Sequence, residues 1–265
     1  GLRVLGKPER FARHYSEEGA DELIYMDVVA SLYGRNSLLD IVRRTADEIF
    51  IPLTVGGGLR SVEDIRQVLR AGADKVSLNT AALERPELVR EASRAFGSST
   101  ILVSIEAFRR PDGTYEAYTQ FGRQATGVDA IDWAKRAVDL GAGEILVTSI
   151  DREGTGKGFD LELTRRVASG VPVPVIAGGG AGRPEHVLQA IQEGRADAVC
   201  LASLLHYTFA RHCRYAPGEF AEEGNIEALL KGPRSSKVEE TRLDALKKYL
   251  TAAGFDCRLA AGGAP

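Results

Sequence analysis

The sequence matches itself when it is shifted by 122 positions. Val55-Gly56-Gly57-Gly58 then aligns with Ala177-Gly178-Gly179-Gly180, and each run follows an apolar segment with a proline near its start. After one inserted residue, Arg195, the match continues with Asp74 and Asp197. The shift also aligns other identical residues: Ala12 with Ala134, Gly19 with Gly141, Glu22 with Glu144, Pro52 with Pro174, and Gly72 with Gly194. A repeat this long indicates two similar halves of one large domain rather than a solenoid.

Two sequence patterns alternate along the chain. Short apolar or β-branched runs predict seven strands: Leu23–Val28, Ile51–Val55, Lys75–Leu78, Ile101–Ile105, Glu144–Thr148, Val173–Ile176 and Ala198–Leu201. Intervening segments such as Ser61–Ala71 space their apolar residues at three and four positions, as a helix with one buried face requires. Alternating strands and helices favour parallel strands joined by crossover helices. We therefore predict an α/β fold, a (β/α)8 TIM barrel built from two half-barrel repeats.

The repeat also predicts a strand that this sequence lacks. The second half opens with Ile101–Ile105, whose counterpart would lie about twenty residues before Gly1. We expect the sequence to be part of a longer chain whose first strand is absent here, because the alternative is an open barrel with two unpaired edges. We expect residues 1–265 to form a single barrel domain, with an inserted surface loop over residues 207–237 and a terminal helix over residues 238–252.

Composition excludes several classes of function. The formal net charge is -3 and charges of both signs are interspersed, which argues against a nucleic-acid partner. No apolar run approaches the roughly 18 residues of a membrane span. Cys200, Cys213 and Cys257 lack CxxC spacing and read as reduced thiols of a cytoplasmic protein. The four histidines show no ligand spacing, so we expect no metal and no cofactor.

Each glycine run lies where a strand end meets a helix start, and a small or polar pair follows one strand later. Unhindered backbone N–H groups at such a place can bind an anion, helped by the dipole of the following helix. The alternative is that the glycines only make tight turns. Two such sites on opposite sides of a barrel mouth suit a ligand with a phosphate at each end. The predicted phosphate-binding residues are Gly57, Gly58, Asn79, Thr80, Gly179, Gly180, Ala202 and Ser203.

Carboxylates follow several of the predicted strands. Asp27 and Glu106 end their strands, while Asp151 and Glu153 follow Glu144–Thr148. Acids at the C-terminal face of a barrel can transfer protons if their surroundings tune their pKa values. Each could instead be a solvated loop charge or a helix cap, which is the favoured interpretation for Asp151.

Charged residues also start three strands, at the opposite face. Glu22, Lys75 and Glu144 occupy related positions in the N-terminal parts of their strands. Such residues usually bind backbone or solvent. Three charges of mixed sign could instead form a ring of ion pairs at the barrel floor, because buried charges need partners.

Four segments together resemble the cyclase subunits of imidazole glycerol phosphate synthase: Ile51–Arg60, Ala73–Thr80, Gly141–Thr155 and Val175–Gly182. The resemblance implies an ammonia-dependent cyclase and lyase of histidine biosynthesis. Its substrate would be a ribulosyl aminoimidazole carboxamide nucleotide with two phosphates, and its products imidazole glycerol phosphate and aminoimidazole carboxamide ribotide. A glutaminase subunit, bound as a heterodimer partner at the N-terminal barrel face, would supply ammonia through the barrel.

The resemblance also implies roles for individual residues. The family's ammonia gate corresponds to Glu22, Lys75 and Glu144, with a fourth member on the absent strand. The family's catalytic pair is an Asp on the absent first strand and an Asp at the position of Glu106, and Glu153 corresponds to a supporting Asp. Our predicted catalytic group comprises Glu106, Asp27, Glu153 and Thr148. Glu106 and Glu153 stand where the family has Asp, and moving a carboxylate by about 1 Å can cost on the order of 100-fold in rate.

These departures keep other functions open. A paralogue could aminate a sugar nucleotide for a surface polysaccharide, and a degenerate barrel could serve only to dock a glutaminase. The related isomerase shares the repeat and the phosphate sites but needs no gate. The Gly-Ala-Gly-Glu-Ile-Leu segment that starts at Gly141 favours the cyclase over the isomerase.

Overall fold

A computed structural model describes residues 5–27, 37–213 and 237–259. The strands are β1 Leu23–Met26, β2 Leu53–Gly56, β3 Lys75–Leu78, β4 Ile101–Arg109, β5 Tyr115–Thr119, β6 Gln124–Asp129, β7 Glu144–Ser149, β8 Val175–Gly178 and β9 Ala198–Cys200. The helices are α1 Pro8–Glu17, α2 Ser37–Ala46, α3 Val62–Arg70, α4 Thr80–Glu84, α5 Glu87–Phe96, α6 Ala130–Asp139, α7 Leu161–Gly170, α8 Pro184–Gln192, α9 Ser203–His212 and α10 Leu243–Ala252. A short 3-10 helix covers Ser98–Thr100. None of the described helices is long and apolar enough to cross a membrane.

Seven strands pair in parallel in the order β1-β2-β3-β4-β7-β8-β9. They correspond to the seven predicted strands, with ends that differ by a few residues, and helices alternate with them along the chain. The predicted α/β barrel architecture is therefore confirmed. Within the described residues, β1 and β9 each pair with one strand only, so the sheet ends on these two strands.

The repeat is visible in the hydrogen bonds. The Leu53 N–H donates to Asp74 Oδ2 at 2.8 Å, and in the second half the Val175 N–H donates to Asp197 Oδ2 at the same distance. Each aspartate N–H in turn donates to the carbonyl oxygen of its partner residue. The inserted Arg195 is accommodated just before Asp197 in a left-handed conformation, with φ 57°. The same pair of hydrogen bonds therefore joins the start of β2 to the start of β3 in the first half and the start of β8 to the start of β9 in the second half.

The helices pack their apolar faces on the outside of the sheet. In α3, Ser61 and Asp64 form a reciprocal capping box, and Ile65 and Val68 are buried. This first-turn capping satisfies backbone donors that the helix itself leaves free. The periodicity of this segment thus predicts both its helix and its buried face correctly.

An antiparallel hairpin, which the sequence analysis did not predict, follows the fourth strand. β4 continues beyond the barrel and pairs with β5, which pairs with β6. A turn over residues 110–114 joins β4 and β5, closed by the Arg110 N–H donating to the Thr114 carbonyl at 2.8 Å. The Pro111-Asp112-Gly113 sequence is a turn signal, and Tyr115 and Ala117 alternate with more polar residues as a strand requires.

Two predicted boundaries near the C-terminus were wrong. The loop predicted from Tyr207 cannot start there, because α9 runs through Tyr207 to His212. Residues 214–236 lie outside the described residues. The terminal helix is present but begins at Leu243 rather than at residue 238.

One buried lysine fastens the terminal helix to the start of the barrel. Lys247 is 5% exposed, and its Nζ donates to both carboxylate oxygens of Asp21 at 2.8 Å. It also donates to the carbonyl oxygens of Gly19 at 2.6 Å and Arg258 at 2.9 Å. The ammonium group therefore links three segments that are distant in sequence.

We expect Lys247→Met to lower the free energy of unfolding by about 1–3 kcal/mol, because the buried Gly19 carbonyl and the partly buried Arg258 carbonyl lose their donor. The matched control is Lys248→Met, which removes only an exposed 3.8 Å pair with Asp244 and should change stability by less than about 0.5 kcal/mol. Urea unfolding measures both variants. Equal losses would contradict the anchoring role.

Candidate active site

Glu106 lies at the C-terminal end of the barrel part of β4, beside Thr148 of β7. Its Oε2 accepts a hydrogen bond from Asn79 Nδ2 at 3.1 Å, and the Gly122 backbone N–H of the hairpin also donates to it. Burial raises the pKa of Glu106 above its ordinary 4.5, and the neighbouring Glu153 adds to the rise, while the two donors oppose it. A carboxyl group in this setting can change protonation closer to neutral pH than a solvated one.

Glu153 provides a second carboxyl group at the same mouth. It belongs to the loop that follows β7, and its pKa is raised by surrounding protein atoms although the residue remains open to solvent. The like charge of the two groups disfavours ionisation of both together. Two carboxyl groups at one barrel mouth can supply the acid and the base of a proton-transfer reaction.

The other predicted catalytic residues, Thr148 and Asp27, lie at the C-terminal ends of their strands. Thr148 pairs with Glu106 on one side and with Gly178 on the other. Asp27 follows β1 directly, and its N–H donates to the Gly56 carbonyl at 2.8 Å. Asp151 has a structural partner instead, since its Oδ2 accepts from the Arg109 N–H at 2.9 Å.

The glycine runs are required by close backbone packing. A Cβ at Gly57 would lie 2.3 Å from the Asp27 carbonyl oxygen, and one at Gly180 would lie 2.3 Å from the Gly158 carbonyl oxygen. Their φ angles are 104° and 105°, a region that favours glycine. Gly58 and Gly179 share the positive φ, at 69° and 84°. Backbone geometry therefore explains these glycines, and phosphate binding there stays a prediction.

The residues that follow the next strands differ between the halves. Asn79 precedes α4, and its Nδ2 donates to Glu106. Its buried Oδ1 has no hydrogen-bond partner among the described residues. Thr80 Oγ1 accepts from the Gln120 N–H at 3.2 Å. Ala202 precedes α9, whose first residue is Ser203, and no side chain caps this helix. The protein's own hydrogen bonds therefore engage the predicted phosphate-binding residues of the second half less than those of the first half.

At the opposite end of the barrel, three charges form one cluster, which we call the floor cluster: Glu22, Lys75 and Glu144. Lys75 Nζ donates to Glu22 at 3.0 and 2.9 Å and to Glu144 Oε1 at 2.6 Å. Burial alone would lower the pKa of Lys75, but its hydrogen bonds to Glu144 and Glu22 and their negative charges outweigh this effect and raise the pKa. The three predicted residues are therefore brought together as ion pairs.

The hairpin tip is the part of the site that sequence reasoning missed. Gln120, Phe121 and Gly122 all have positive φ, at 53°, 57° and 71°. This tight turn brings the Gly122 N–H onto Glu106 and the Gln120 N–H onto Thr80. Only Gly122 among the three is a residue that commonly signals such a turn.

The family model described as "Histidine biosynthesis protein" matches residues 1–210. The chain belongs to this family. Three curated relatives carry the name "Imidazole glycerol phosphate synthase subunit HisF". The chain is 50% identical to the Alkaliphilus metalliredigens protein over 206 residues, covering 78% of this chain and 82% of the relative.

Two further relatives carry the same name. The Methanocaldococcus jannaschii protein is 50% identical over 225 residues, covering 78% of this chain and 83% of the relative. The Methanosarcina acetivorans protein is 46% identical over 246 residues, covering 86% and 89%. These matches confirm the resemblance that the sequence motifs indicated.

The raised pKa of Glu106 predicts how stability depends on pH. Since burial disfavours the carboxylate, the contribution of Glu106 to stability is complete below pH 4.5 and is lost as the pH rises through its higher folded-state pKa. Glu106→Gln cannot ionise. The free energy of unfolding of the variant, minus that of the wild type, should therefore increase between pH 4.5 and neutrality in urea titrations. A difference that stays constant with pH would show that the pKa is not raised.

Proposed function

We propose that the chain carries out the cyclase reaction of imidazole glycerol phosphate synthase, as a lyase of histidine biosynthesis. The observation that carries the proposal is the arrangement of charges along one set of strands: ion pairs at the floor and two interacting carboxyl groups at the mouth. The named relatives, at 46–50% identity, support the same activity. The substrate is a bis-phosphorylated ribulosyl aminoimidazole carboxamide nucleotide, and the co-substrate is ammonia.

Glu106 and Glu153 perform the proton transfers. Addition of ammonia to the substrate requires a proton acceptor, and departure of the aminoimidazole amine requires a donor. Burial raises the pKa values of both carboxyl groups, which makes each a better proton donor at the mouth than a solvated carboxylate, and each can accept a proton once it is ionised. Thr148 and Asp27 line the same end of the strands and complete the catalytic group.

The substrate phosphates bind on opposite sides of the mouth. One lies at Gly57 and Gly58 near the start of α4, and the other lies at Gly179 and Gly180 near the start of α9. Backbone N–H groups and helix dipoles favour anions at such places. The Asn79 Oδ1, which has no hydrogen-bond partner among the described residues, can accept a hydrogen bond from a hydroxyl or amino group of the substrate, not from its phosphate.

Ammonia enters through the floor cluster. Thr54 pairs with Lys75, and Ser77 lies two residues after Lys75 on the same face of β3, so both hydroxyl groups stand above the cluster inside the barrel. Both hydroxyl oxygens are buried and lack a hydrogen-bond partner among the described residues. They can hydrogen-bond a small polar molecule that passes between them.

A partner glutaminase binds the N-terminal face. Phe50 is 98% exposed there, next to a cavity of about 370 Å³ that Ala46, Pro52 and Asp74 help to line. Asp74 immediately precedes Lys75 of the floor cluster. An exposed aromatic side chain beside a pocket is typical of an interface anchor.

We expect Glu106→Gln to lower the ammonia-dependent rate in the full chain by at least about 100-fold, as is typical of losing a general acid–base group. Substrate affinity should stay within a few-fold, since the phosphates supply most of it. Steady-state kinetics with ammonium salt bypass the partner and measure both quantities.

The control for this variant is Asp151→Asn, because the asparagine oxygen can still accept the Arg109 N–H. It should keep near wild-type activity. Full activity of Glu106→Gln would move the role to Asp27 or Glu153. A wild-type chain without turnover on ammonium salt would favour a docking barrel without catalysis.

We expect Phe50→Ser to weaken only the reaction that depends on the partner. The glutamine-dependent rate at limiting glutaminase should fall at least about tenfold, the loss of one interface hot spot, while the ammonium-dependent rate should not change. Val128→Ser, which alters an exposed apolar residue on β6, is the control and should affect neither rate. An unchanged glutamine-dependent rate would place the interface elsewhere.

A further inference from the structure

A second cavity, which we call the rim cavity, lies between the turn that joins β4 to β5 and the loop after β7. Its volume is about 490 Å³, within the range of small-molecule sites. The residues assigned above to catalysis, phosphate binding and the floor cluster do not line it. The rim cavity is therefore a separate candidate binding site.

Positive charge dominates its lining. Arg109, Arg110, Arg152 and Lys157 face it, together with two carboxylates, Asp151 and Asp160. Both carboxylates already serve the fold. Asp151 accepts the Arg109 N–H at 2.9 Å. Asp160 accepts the Tyr115 hydroxyl at 3.0 Å and caps α7 through the Leu163 N–H at 3.0 Å.

Three of the four cations have no carboxylate of their own. Arg110 pairs with Glu116 at 3.1 Å. Arg109, Arg152 and Lys157 form no ion pair within the parts of the chain that the structure describes. Three like charges around one cavity repel each other, and an anion bound between them would offset this repulsion.

Hydrogen bonds hold the backbone that carries two of these cations, and the third cation lies over an aromatic ring. The Thr155 hydroxyl donates to the Arg152 carbonyl at 2.7 Å and accepts the Lys157 N–H at 3.2 Å, which ties the loop residues together. The Arg109 guanidinium lies 5.9 Å from the centre of the Tyr115 ring. Positions fixed in this way lower the entropy that a bound anion would otherwise cost.

We propose that the rim cavity binds a phosphorylated small molecule of nucleotide size. Arg109, Arg152 and Lys157 contact the phosphate, since guanidinium groups favour bidentate phosphate contacts. Phe108 and Pro111 offer an apolar wall for a flat ring. This ligand is distinct from the substrate that spans the barrel mouth.

The position of the rim cavity connects it to catalysis. Its two walls are the strand that carries Glu106 and the loop that carries Glu153. A ligand that contacts Arg109 and Lys157 bridges these two elements and restrains the distance between the two carboxyl groups. Occupancy therefore changes the turnover number more than the Michaelis constant of the substrate.

The test uses ADP as the probe, the full chain, and the double variant Arg109→Ala/Lys157→Ala. Calorimetric titration should show that the double variant binds ADP at least about tenfold more weakly than the wild type, because charge-assisted hydrogen bonds are lost. The matched control is Arg90→Ala/Lys135→Ala, which removes two exposed cations from α5 and α6 and should leave binding unchanged. Crystals soaked in ADP should show density in the rim cavity.

Three results would overturn the proposal. ADP density at the glycine runs alone, with equal affinity of both double variants, would assign all binding to the substrate site. Equal weakening in the two double variants, with strong salt dependence and no density, would indicate surface attraction only. Absence of measurable ADP binding to the wild type would show that the cavity does not accept a nucleotide.

Discussion

The register of the parallel strands is the constraint on which the rest of the structure depends. Thr54 pairs with Lys75, Leu102 with Glu144, and Glu106 with Thr148, in one continuous parallel sheet. Because side chains alternate between the two faces of a strand, Lys75 and Ser77 share one face of β3, and Glu144 and Thr148 share one face of β7. A shift of one residue in any strand would remove its charge from the interior.

Electrostatics then differ between the two ends of the interior. At the floor, opposite charges lie within hydrogen-bond distance, so Lys75 stays charged despite its partial burial. At the mouth, burial raises the pKa values of Glu106 and Glu153, and the charge of Glu153 adds to the rise at Glu106. The floor is thus suited to a fixed charge and the mouth to proton transfer. The same strands supply both ends.

Sequence alone predicted the features that periodicity and repeat symmetry control. These features are the seven parallel strands, the two edge strands of the sheet and the ion pairs among Glu22, Lys75 and Glu144. It did not predict the hairpin, because its strands pair outside the barrel and have no counterpart in the other half. Lys247 was also missed, since no local pattern shows that a lysine near the chain end is buried against Asp21. The sequence of the glycine runs is compatible with tight packing and with phosphate binding alike. The close approaches of backbone at Gly57 and Gly180 are visible only in the three-dimensional structure.

The central claim is that one barrel holds its substrate between two phosphate sites, with Glu106 at the reacting atoms. A crystal structure of the full chain with the bis-phosphorylated nucleotide, in the absence of ammonia, tests it directly. We expect one phosphate at Gly57 and Gly58, the other at Gly179 and Gly180, and the Glu106 carboxyl group within hydrogen-bond distance of the ligand between them. A ligand whose phosphates lie away from both glycine runs, with Glu106 out of contact, would contradict this account.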